Sequence, residues 1–94
     1  MPLFIVRCVD KPDSLDLRLL TRERHLAYLA KDVVVKIAGP MLDQLGQPMG
    51  SLLIIEAADL AAAEHAAAND PYAQAGLFAE VEVRPYRLAI GAFA

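Results

Sequence analysis

Cysteine, tryptophan, histidine and basic clusters are all scarce in this chain of 94 residues, and each scarcity removes a class of protein. Cys8 is the single cysteine, so no internal disulfide can form. With only two, widely separated histidines, no zinc-ligand spacing can be drawn either. Nine basic residues are scattered along a chain of net charge −3, which leaves neither a phosphate-tracking stripe nor a polybasic membrane patch. Nucleic acid is therefore not an expected partner. No apolar run approaches the roughly 20 residues of a membrane span, and Met1-Pro2 leads straight into strand-like sequence without a charged leader. A cytoplasmic protein with no membrane partner is the expectation. Phosphate-binding glycine loops and dinucleotide fingerprints are missing as well, so the reading calls for no cofactor and no metal.

What the chain does have is aliphatic residues. Apolar types make up 56% of it and aromatics only 6%, an excess that a single small domain covers best by burying part of its surface against a second copy. Residues 2–9 are rich in strand formers and stop at Asp10-Lys11-Pro12-Asp13. Ser14 then offers a helix N-cap, Asp16 suits the first turn, and Leu15, Leu19, Leu26, Leu29 and Ala30 recur at helical spacing to about residue 31. Val33 to Ala38 predicts a second strand ended by Gly39-Pro40, and Ser51 to Ala57 a third, joined to it by a long hairpin loop. Asp59 caps an alanine-rich helix through Ala67 that breaks at Asn69-Asp70-Pro71. Asp70 as N-cap and Pro71 as the first helical residue begin one further turn, stopped by Gly76, and Phe78 to about Ile90 forms the last strand.

The order is βαββαβ, an α+β ferredoxin-like unit occupying residues 1–94 as one domain, with a four-stranded antiparallel sheet carrying both helices on one face. Strands 1 to 3 are apolar on both faces, so the face away from the helices calls for a second sheet, supplied by a homodimer partner.

Candidate chemistry gathers on the first helix. Taking Leu15, Leu19 and Leu26 as the buried stripe places Arg22 at its margin and Arg18 and His25 just outside. The three can converge on one anionic group of a small-molecule ligand; alternatively both arginines pair with carboxylates and cover apolar surface. His25 is the candidate general base, with Asp70 as the carboxylate that fixes its tautomer, while the competing reading of Asp70 is a simple helix cap. Tyr72 and Tyr28 either line a pocket or merely pack, His65 reads as a solvated surface residue, and Ser51 after Gly50 has no nucleophile-elbow context.

Several segments together resemble the YciI-like (YCII-related) family of small bacterial proteins. They are Asp10-Lys11-Pro12-Asp13-Ser14, then Arg18 and Arg22 with His25-Leu26 and Leu29, Ala38-Gly39-Pro40-Met41, Gly50-Ser51, Asp70-Pro71-Tyr72, Ala75-Gly76-Leu77-Phe78 and Val83-Arg84-Pro85-Tyr86. The resemblance implies a ferredoxin-like fold forming a dimeric α+β barrel, with an active site centred on a histidine and an aspartate that match His25 and Asp70. The expectation is lyase or isomerase chemistry on a phenolic or keto-acid-like substrate, with catalytic residues His25 and Asp70 and substrate-binding residues Arg18, Arg22 and Tyr72. Its alternative is a noncatalytic binding or structural dimer.

Overall fold

Strand-forming residues at the start of the chain become the inner strand of the sheet. The computed structural model describes residues 1–93. Its elements are β1 (Leu3–Asp10), α1 (Leu15–Asp32), β2 (Val34–Leu42), β3 (Pro48–Glu56), α2 (Leu60–Ala68), the single turn α3 (Pro71–Gln74) and β4 (Phe78–Tyr86). All neighbouring strands are antiparallel in the order β2-β3-β1-β4, which is the ferredoxin-like arrangement expected from the sequence.

Period-two alternation sends Phe4, Val6 and Cys8 of β1 and Leu53 and Ile55 of β3 to one face, where they form the buried core with Ala57 and Ala63. Alanines of α2 make this close packing possible: Ala63 is fully buried, and Ala62, Ala66 and Ala67 pack against the cluster. Two irregularities re-aim side chains. The register shifts between Val9 and Asp10, so Phe78, which is out of phase with Val81 and Val83, still packs onto the core. A second shift, between Val35 and Ile37, pairs Val35 with Ile55 and Ala38 with Leu53, and so carries Ala38 and Pro40 to the face that holds the helices.

Caps and turns behave largely as their chemistry dictates. The Asp59 side chain accepts from the Ala62 amide at 2.8 Å, and that of Asp70 from the Tyr72 amide at 2.9 Å. Gly76 closes α3 at φ 78°, a left-handed conformation in which a side chain would be strained. Asp43 organises the β2–β3 turn by accepting from the amides of Leu45 and Gln47.

Five expectations need correction. Ser14 precedes α1 but makes no side-chain cap; its hydroxyl donates to the Pro12 carbonyl instead. Gly39-Pro40 does not end β2 but lies inside it, because β2 is an edge strand and only one of its sides is paired. Because β2 runs on to Leu42 and pairs there with Pro48, β3 begins at Pro48 rather than Ser51 and the turn shortens to residues 43–47, while β4 stops at Tyr86. The largest correction concerns α1. Its buried residues are Arg18, Thr21 and His25, whereas Leu19 and Leu26 are 59% and 45% exposed. The helix is rotated so that Arg18 and His25, each with a carboxylate partner, face inward together with Thr21, and leucines flank them.

Gly50 marks the tightest approach in the sheet. A Cβ there would overlap the Cys8 carbonyl oxygen and lie 2.6 Å from Met41 Cε, and the carbonyl belongs to the central ladder and cannot yield. Gly50→Ala is therefore expected to cost about 1–3 kcal/mol of stability, read from chemical denaturation.

Candidate active site

A buried arginine in a domain this small requires an immediate anion, and β1 provides one at its end. Arg18 Nε donates to Asp10 Oδ2 at 2.7 Å and Nη2 to Asp10 Oδ1 at 2.9 Å, a bidentate pair with both side chains only 6% exposed. Nη2 also donates to Ser51 Oγ on β3 at 2.9 Å. Burial works against the Arg18 charge, but the hydrogen bonds and charge of Asp10 outweigh it and hold the guanidinium firmly protonated.

About two turns further along α1, His25 meets the second carboxylate. Its Nδ1 lies 2.8 Å from Oδ1 and 2.9 Å from Oδ2 of Asp70, with both residues buried. Asp70 Oδ1 thus serves as the cap of α3 and as the histidine's partner at once. A carboxylate can only accept, so the ring hydrogen sits on Nδ1 and the lone pair of the neutral ring is on Nε2.

Tyr72, the second residue of α3, joins the two pairs. Its ring stacks on His25 with centroids 4.0 Å apart and planes 18° from parallel, and the Arg18 guanidinium carbon lies 4.7 Å from its centroid. Burial raises the Tyr72 phenol above its ordinary range and keeps it protonated, although Arg18 and Arg22 pull the other way. Phe78 closes the edge of the Tyr72 ring at 6.0 Å.

Beside these groups lies a cavity of about 210 Å³. Arg18, His25, Ser51 and Tyr72 contribute its polar lining, and Leu19, Leu26, Leu29, Ala38, Pro40 and Leu53 its apolar walls. The leucines misplaced by the helical-stripe reading therefore have a position: Leu19 and Leu26 line this cavity.

The structure brings His25, Asp70, Arg18 and Tyr72 together, and puts Arg22 at the cavity as an exposed residue. Arg18 is not the free cation that convergence on a ligand anion requires, because Asp10 matches its charge; Arg22 has no ion pair among the described residues. Tyr28 lies outside this cavity and is half-buried, its hydroxyl donating to the Ala66 carbonyl at 2.7 Å and tying α1 to α2. His65 is exposed, beside Asn69. Sequence reasoning missed Asp10 and Ser51 as partners of Arg18, and Thr21, whose buried hydroxyl has no partner among the described residues. Arg18, Thr21 and His25 at intervals of three and four were the available signal for a polar stripe.

Removing one member of the buried ion pair strands the other. Arg18→Met is expected to lower stability by about 3–5 kcal/mol, with Asp10→Leu in the same chain restoring most of it, as measured by a denaturation double-mutant cycle. Cys8 supplies a pH prediction. Burial, then the charges of Asp70 and Asp10, push its thiol up from 9.0 to about 12. A thiol raised in the folded state contributes stability that is complete below the unfolded value near 9.0 and is lost as the pH rises toward 12. Alkylation of Cys8 in the native protein should accordingly remain negligible at pH 9 and become rapid only on unfolding, which mass spectrometry after timed labelling would show.

Known proteins match nearly the whole length of this chain. Over 95 aligned residues the chain is 37% identical to protein YciI of Escherichia coli O6:H1, covering 90% of this chain and 96% of the relative. It is 32% identical over 93 residues to an uncharacterized protein of Haemophilus influenzae, covering 89% and 95%. Among solved structures it superimposes with a TM-score of 0.82 and 33% identity, over 93% of this chain and 95% of the other, on the 5-chloro-2-hydroxyhydroquinone dehydrochlorinase TftG of Burkholderia phenoliruptrix AC1100, solved with 2,5-dihydroxybenzoquinone. An antibiotic biosynthesis monooxygenase, at 17% identity and a TM-score of 0.59 over 96% and 100% of the two chains, shares the fold alone. The YCII-related domain matches residues 2–87, and the chain belongs to that family.

Proposed function

We propose that this protein is a cofactor-independent enzyme of the lyase or isomerase type, acting as a homodimer in the cytoplasm on a small phenolic or keto-acid-like substrate. His25 is the general base. Asp70 holds its Nδ1–H, and Nε2 takes a proton from an acidic hydroxyl or carbon of the substrate, leaving a phenolate or enolate. Arg22 and the Arg18 network stabilise the charge that develops.

The observation that carries this reading is the anchored histidine beside a cavity. With Nδ1 held at 2.8 Å by a buried carboxylate, the ring is fixed in one tautomer, and the cavity it lines is walled by aliphatic side chains and Tyr72. Such a site suits a flat ring bearing a few oxygens. The dehydrochlorinase TftG, similar over nearly the whole chain, acts by its name on a chlorinated hydroxyhydroquinone, and compounds of that class are the first to try. For the homodimer, the support is the sheet face without helices: Ile37 is 47% exposed on the edge strand, opposite Ile54. For the cytoplasm it is a fold built without any disulfide, Cys8 being the single cysteine.

His25→Ala and Asp70→Asn decide the matter. Turnover of 5-chloro-2-hydroxyhydroquinone, followed by chloride release, is expected to fall by about 10²–10⁴-fold in His25→Ala with the fold intact by circular dichroism. In Asp70→Asn, nitrogen NMR of the imidazole should show the hydrogen no longer confined to Nδ1. Unchanged turnover in His25→Ala would remove the general base from the mechanism. A noncatalytic binding dimer would instead bind 2,5-dihydroxybenzoquinone and release no chloride.

A further inference from the structure

The geometry points to Ser51 as the group that recognises the substrate oxygen, donating its hydroxyl hydrogen to the phenolate or enolate formed beside His25. This inference rests on the general-base reading above and adds the residue that receives the charge.

A guanidinium can only donate, so in the 2.9 Å contact from Arg18 Nη2 the Ser51 oxygen must be the acceptor. The serine's own hydrogen has no acceptor among the described residues. Yet Ser51 is only 3% exposed, and the space it borders is the cavity shared with His25 and Tyr72. An unused donor at a buried position is costly unless something else occupies the cavity. Both oxygens of Asp10 hold the guanidinium in the bidentate pair, so the direction of the donation to Ser51 is fixed before any ligand arrives. Donation from a cation also polarises the hydroxyl and makes it a better donor.

The same contact argues against a nucleophilic serine. Activation would need a base at the hydroxyl, and the neighbour there is a guanidinium, which cannot take a proton; His25 makes no hydrogen bond to Ser51. Because Asp10 already balances Arg18, this part of the site presents a directed hydrogen bond rather than free charge. It suits an oxygen that gains negative charge on proton loss, and discriminates little in favour of an anion bound from the start. Arg18 and Asp10 act through Ser51 as positioning residues.

The test uses 2,5-dihydroxybenzoquinone as probe, with affinity measured by isothermal titration calorimetry and folding checked by thermal melting. Ser51→Ala is expected to bind it about tenfold or more weakly, the scale of one hydrogen bond to a charged group. Ser51→Thr, which keeps the hydroxyl, should bind as wild type does. If Ser51→Ala does not fold, Ser51→Cys, close in size and a poor donor, should show the same weakening. Wild-type affinity in Ser51→Ala or Ser51→Cys, or a loss that Ser51→Thr fails to restore, overturns the assignment while leaving the His25 mechanism standing. A wild-type protein that neither binds the quinone nor releases chloride overturns both.

Discussion

Everything near the site depends on a helix that turns its polar side toward the sheet. Burying Arg18 and His25 in a domain of this size is tolerable only because two carboxylates wait at fixed points, Asp10 at the end of β1 and Asp70 at the start of α3. Each lies where the backbone has its own reason to change course. β1 shifts register at Asp10, and Asp70 is the N-cap that starts a new turn, so both carboxylates are positioned by the main chain before the side chains of α1 meet them.

That arrangement explains how one short chain holds both a core and a cavity. Apolar burial is supplied by β1, β3 and the alanine face of α2, and α1 contributes to it mainly through Leu29. The rest of α1 is free to serve the site, and its Leu19 and Leu26, freed from the core, become cavity walls. Tyr72 is the joint between the two tasks. It is 2% exposed, its ring stacks on His25, and its amide is the one that Asp70 caps, so displacing the ring would disturb the cap and the dyad together.

Most of this was legible in residue order because it rests on local rules. Asp59 and Asp70 as caps, Pro71 at the first helical position and Gly76 at the stop are dictated by backbone chemistry within a few residues. The His25–Asp70 pairing is legible because, of two histidines, His25 alone shares a helix border with Arg18 and Arg22, and a capping carboxylate at Asp70 suits its ring, the same two residues that the family resemblance implies. What stayed hidden was the phase of α1. Counting leucines assumes that hydrophobic residues choose the buried side, but here partners 8, 33 and 45 residues away, Asp10, Ser51 and Asp70, decide it. Strand ends at Gly39-Pro40 failed for a similar reason: whether a proline ends a strand depends on whether that strand lies at an edge, which is a property of the whole sheet.

The second sheet face shows how charge limits what can cover the fold. On β4 the residues directed away from the core, Glu80, Glu82 and Arg84, are charged, with Arg84 bonded to Glu82 at 2.6 Å and Arg7 of β1 reaching Glu80 at 3.7 Å. On β1, β3 and β2 the same face carries the part-exposed Leu3, Ile5 and Leu52 and the exposed Ile37, around an Ile54 that is already buried. An apolar partner therefore finds a matching surface only over the other three strands, and the charged edge sets its boundary. The cavity lies on the opposite side, under α1 and α3, so the His25–Asp70 and Arg18–Ser51 hydrogen bonds are made within a single chain. β3 joins the two sides, with Ser51 and Leu53 on one face and Leu52 and Ile54 on the other.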